Sequence, residues 1–82
     1  MVRLSALSEA NDRPQLISTR QEYGVIEVRV RIGDRIYTYE LGVNAPALNA
    51  IKQLRMPKAA RAGLDRIKKM APDPRVEEIT GG

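Results

Sequence analysis

From Val25 to Gly42 apolar and polar side chains alternate with a period of two, interrupted once at Gly33-Asp34, and the pattern predicts a β-hairpin. Gly at the first central position is the type II′ preference. Closing the chain there sets Ile32 opposite Arg35, Val30 opposite Tyr37, Val28 opposite Tyr39 and Ile26 opposite Leu41. One face is then apolar almost throughout, while the other carries Glu27, Arg29, Arg31, Ile36, Thr38 and Glu40. Slipping the pairing by one residue would mix the two sets, so the burial of one face fixes the register.

The flanking segments extend this unit. Pro14 opens Gln15 to Glu22, where Leu16, Ile17 and Thr19 suit a strand, and Tyr23-Gly24 supplies a tight turn into the hairpin. A two-residue turn would set Ile17 opposite Val30, Thr19 opposite Val28 and Arg20 opposite Glu27. Downstream, Asn44 is placed to cap a helix with Pro46 in its first turn, and Ala47, Leu48, Ile51 and Leu54 recur at helical spacing. Pro57 interrupts and restarts a second helix, about residues 57–71, with Ala60, Leu64, Ile67 and Ala71 on one side. On its other side stand Lys58, Arg61, Asp65 and Lys68, and Pro72 and Pro74 end it. The expected fold is α+β, a three-stranded antiparallel meander packed against one or two C-terminal helices. Residues 1–13 read as a flexible N-terminal arm, residues 14–71 as a single domain, and residues 72–82 as a tail with Val76 to Thr80 available as a short edge strand.

Composition narrows the chemistry. The chain has no Cys and no His, which removes Ser-His and Cys-His nucleophile pairs, thiolates and imidazole metal ligation. No phosphate-binding Gly loop, calcium loop or paired catalytic carboxylate stands at useful spacing. The expectation is a non-enzymatic protein without cofactor or metal. No apolar run has the length of a membrane span and the N-terminal residues lack a signal-peptide core, so the reading is cytoplasmic. With 82 residues, no Phe and no Trp, the core is near the size at which a domain is marginal. A homodimer or a stabilising partner is one way to supply more burial.

The net charge of +4 is unevenly placed. Residues 1–44 balance six basic against six acidic side chains. Residues 45–70 hold Lys52, Arg55, Lys58, Arg61, Arg66, Lys68 and Lys69 against Asp65 alone, and the tail is acidic. Such a concentration attracts phosphate backbones, and otherwise serves as a solvated face. Two surfaces are therefore candidates for nucleic acid, DNA before RNA. One is the polar sheet face with Arg29, Arg31, Arg35 and Thr38, since a flat antiparallel ribbon can enter the major groove and Arg reads guanine. The other is the helical set Lys58, Arg61, Lys68 and Lys69, gripping phosphates without reading sequence. Glu27 and Glu40 fall opposite one another in this register, so Arg20 and Arg29 also suit relief of that like-charge pair.

Val28-Arg29-Val30-Arg31-Ile32-Gly33, followed by Arg35, Tyr37 and a helix from about residue 45, resembles the arm-type, or AP2-like, DNA-binding domain of phage and transposon tyrosine integrases. The likeness spans Val25 to Ile51 and implies a three-stranded sheet backed by a helix, with the sheet in the major groove and Arg29, Arg31 and Arg35 approaching bases and phosphates. Gly33, Tyr37 and Tyr39 also echo the strand, Gly, Tyr-x-Tyr, strand and helix layout of the KTSC domain. The helix pair between Ala45 and Ala71 lacks the Gly turn of a helix-turn-helix. Two readings remain beside nucleic-acid binding: a phage-type inhibitor or adaptor that docks an acidic protein surface, and a carrier protein using the terminal Gly81-Gly82.

Overall fold

Two tight turns with left-handed backbone organise the sheet. Tyr23 (φ 53°) and Gly24 (φ 76°) join strand β1, Gln15–Glu22, to β2, Val25–Ile32, and Gly33 (φ 64°) leads β2 into β3, Arg35–Gly42. Positive φ at both central positions is the type I′ pattern, whereas Gly33 alone in the second turn fits type II′. The computed structural model describes residues 13–79; most of the N-terminal arm and the Gly81-Gly82 pair lie outside them. After the sheet come helices α1, Ala45–Leu54, and α2, Ala60–Met70, and then a short strand β4, Arg75–Glu78. The four strands form one antiparallel sheet in the order β1-β2-β3-β4. The fold is thus α+β, a three-stranded meander with a fourth strand returning to its edge after two helices.

The β2–β3 register is the one that alternation dictates: Ile26 pairs with Leu41, Val28 with Tyr39, Val30 with Tyr37 and Ile32 with Arg35. The β1–β2 pairing departs from expectation at one point. Thr19 meets Val28 and Arg20 meets Glu27, but a β-bulge between Leu16 and Ser18 puts Leu16, not Ile17, opposite Val30. An extra residue in one strand shifts every later pairing by one, and composition gives no sign of it. Leu16 therefore packs against the core while Ile17 stays 43% exposed.

Both helices lie on the apolar side of the sheet, and their buried residues join Ile26, Val28, Val30, Tyr39 and Leu41 in one core. From α1 come Ala47, Ala50, Ile51 and Leu54; Leu48, expected on this stripe, is 49% exposed. At 100° per residue Leu48 falls beside the stripe and Ala50 within it. From α2 come Ala60, Gly63, Leu64 and Ile67. The second helix starts three residues after Pro57, because the Ala59 amide donates to the Met56 carbonyl at 2.9 Å and closes a turn. Pro57 occupies the second position of that turn, which its fixed φ suits.

Asn44 begins α1 as expected. Its backbone is extended (φ −150°, ψ 169°) and its Oδ1 accepts from the Ala47 amide at 2.9 Å. That bond satisfies one of the helix's open donors, so Asn44→Ala should cost about 1 kcal/mol. Thermal unfolding should read this as a midpoint roughly 4–8 °C lower, and an unchanged midpoint would mean that the cap adds nothing.

Candidate nucleic-acid interface

Pairing in register places the charged side chains of the outer sheet face in rows. Arg29, Thr38 and Arg75 form one row across β2, β3 and β4, and Arg31, Ile36 and Glu77 form the next. Ion pairs run diagonally between rows: Arg29 Nη2 lies 3.6 Å from Glu77 Oε1, and Arg75 Nη2 donates to Glu27 Oε2 at 3.0 Å. Thr38 sits among these four side chains and is 5% exposed. Arg35 lies 3.7 Å from Glu78, and its guanidinium is pushed further up by Tyr37 first and by Glu78 after it. At the far end, Arg20 meets Glu22 at 3.3 Å. Arg31 turns its Nε to the Gly33 carbonyl at 3.0 Å.

The sheet cations thus have local partners. Arg20, Arg29, Arg31 and Arg75 share the outer face with Glu22, Glu27, Glu40 and Glu77, so that the face carries no net charge. The expected relief of the Glu27–Glu40 opposition comes from Arg75, while Arg20 and Arg29 pair elsewhere. Exposed pairs of this kind contribute about 0–1 kcal/mol each to stability. A phosphate that approaches Arg29 or Arg35 therefore meets a carboxylate beside the guanidinium.

On the opposite side of the molecule the picture reverses. Lys52, Arg55, Lys58, Arg61, Arg66, Lys68 and Lys69 are all exposed, and among the described residues none of them is in an ion pair. The helical period puts Arg61, Lys68 and Lys69 on one side of α2 together with Asp65. Between the start of β1 and the junction of the helices lies a groove of about 1280 Å³. Arg13, Arg55, Lys58 and Arg61 line it, with Leu16, Leu54 and Pro57 among its apolar walls, and among the described residues no carboxylate does. The first turn of α2, at this groove, has no acidic residue and no side-chain cap.

Of the residues singled out by sequence, the structure brings Lys58 and Arg61 into the groove and leaves Lys68 and Lys69 further along the same helix. Arg29, Arg31 and Thr38 stand together on the outer sheet face, whereas Arg35, paired with Ile32, lies beside the second turn on the side of the sheet that carries the helices. Arg13 and Arg55 line the groove beside Lys58 and Arg61 although they come from other segments of the chain, which the sequence alone does not bring together. The signal that existed was the local excess of charge around residues 52–61.

The three tyrosines divide between layers. Tyr37 and Tyr39 stack at 6.3 Å between ring centroids, inside or beside the core, and burial pushes the Tyr39 phenol up, with Tyr37 adding to the shift. Tyr23 is 97% exposed at the β1–β2 turn. No helix among the described residues is long and apolar enough to cross a membrane. No family model matches the chain, and neither does any curated protein or solved structure.

Proposed function

We propose that the protein is a non-enzymatic nucleic-acid-binding module that holds the phosphate backbone through its helical layer and the adjoining groove. The observation that carries this reading is the contrast between the layers. Arg20, Arg29, Arg35 and Arg75 are met by acids of the sheet itself and Arg31 by the Gly33 carbonyl, whereas the helical cations have no acidic partner among the described residues. Phosphate contact requires cations that are free to be desolvated by the ligand, and their number sets the salt dependence through counterion release. A sheet inserted in the major groove, as the integrase-like resemblance implies, would bring Glu27, Glu40 and Glu77 toward an anionic surface as well as the arginines. Backbone contact from helices positions a nucleic acid without reading its bases.

Fluorescence anisotropy with labelled duplex DNA, single strands and RNA, at about 50 mM and 200 mM salt, tests the reading. Binding that weakens about a hundredfold or more across that interval, with little preference among sequences, is the expected result. Absence of binding at the lower salt, or binding indifferent to salt, overturns it. Arg29→Ala, Arg31→Ala and Arg35→Ala should each leave affinity within about twofold, because these side chains contribute to sheet pairing and not to the contact. A loss of about 1–3 kcal/mol confined to one sequence would instead assign recognition to the sheet.

A further inference from the structure

The groove beside α2 gathers Arg13 from the residues before β1, Arg55 from the end of α1, Lys58 from the connecting turn and Arg61 from the first turn of α2. Four like charges held around one concavity repel one another, and among the described residues no carboxylate lines the space to offset them. An anion entering the groove relieves that repulsion. A backbone phosphodiester carries a single charge and is met equally well by a convex helix face. A terminal phosphate carries up to two charges and presents three open oxygens, which suits several donors approaching from different directions. Apolar walls at Leu16, Leu54 and Pro57 reduce competing hydration, which strengthens charge-assisted hydrogen bonds formed there.

We propose that this groove is a phosphomonoester site that captures the phosphorylated end of a nucleic-acid strand. The proposal rests on the backbone-binding reading for the identity of the attached chain, while the groove itself makes it a site for the phosphate group.

The experiment compares short oligonucleotides of one sequence with a 5′-phosphate, a 3′-phosphate or hydroxyl ends, alongside inorganic phosphate followed by amide chemical shifts of the full chain. A phosphorylated end should raise affinity roughly tenfold, and Arg13→Gln with Arg55→Gln should abolish that gain. Both residues are exposed, so the double variant should fold, as its amide spectrum will show. The chain has no His and, among the described residues, the groove has no carboxylate, so a weaker effect at about pH 5 than at pH 7.5 reports the second ionisation of the ligand. Equal affinity for phosphate and hydroxyl ends overturns the proposal and leaves backbone binding in place. Groove amides that respond to inorganic phosphate, in a protein that binds no oligonucleotide, support the site and overturn the nucleic-acid reading. If neither ligand binds, both fall.

Discussion

Gly63→Ala should melt roughly 10–20 °C below the parent protein, a loss of about 2–3 kcal/mol. Helix propensity alone points the other way, since Ala in a helix interior is favoured over Gly by up to about 1 kcal/mol. Geometry decides the sign. A Cβ on Gly63 would stand 2.6 Å from the Ala50 carbonyl oxygen, 2.7 Å from the Leu54 nitrogen and 2.9 Å from the Gln53 Cβ. Two of those atoms are backbone of α1, so no side-chain rotation clears the contact and the helices must separate. Separation would loosen Ala50, Leu54, Ala60 and Leu64, which belong to the one core of a domain with no Phe or Trp in reserve. Denaturant or thermal unfolding gives the answer directly. A midpoint at or above that of the parent would show that α1 and α2 do not approach this closely.

Lys58→Glu combined with Arg61→Glu should reduce affinity for duplex DNA about a hundredfold at low salt and flatten the salt dependence by about two units of slope. On the proposed backbone-binding reading, each reversal removes one phosphate contact and places a carboxylate in the path of the ligand. Both side chains are exposed and neither belongs to the core, so stability should change by no more than about 0.5 kcal/mol. Circular dichroism and anisotropy on the same samples separate the two effects. Retained affinity with an unchanged slope would remove the helical layer from the interface and return attention to the sheet.

The parts of this fold legible in the sequence are those written by short-range periodicity. Alternation from Val25 to Gly42 sufficed for the β2–β3 register, because a buried face tolerates no slip. Asn44 and Pro46 announced the start of α1 through local cap chemistry. Features that depend on distant partners were not legible. The acids that occupy Arg29 and Arg35 come from β4, across two intervening helices, and pairing of Thr38 with Arg75 fixes their position. In hindsight the order Arg75, Val76, Glu77 complements Glu27, Val28, Arg29 in charge at matching spacing, a clue that only a sheet topology can turn into a contact. The groove was obscured for the same reason: Arg13 and Arg61 are far apart in sequence and become neighbours only when β1 lies beside the junction of the helices.

The irregular step in β1 also bears on the behaviour of the protein at high concentration. This strand forms one border of the sheet, and among the described residues no strand pairs with its outward amides and carbonyls. Fibril-like stacking needs a straight ladder in which each residue finds a counterpart at constant spacing. Between Leu16 and Ser18 that ladder is broken, and beyond it Arg20 and Glu22 place charge along the border. An irregular step and two ionic side chains within eight residues thereby guard one of the two edges of the sheet against self-association.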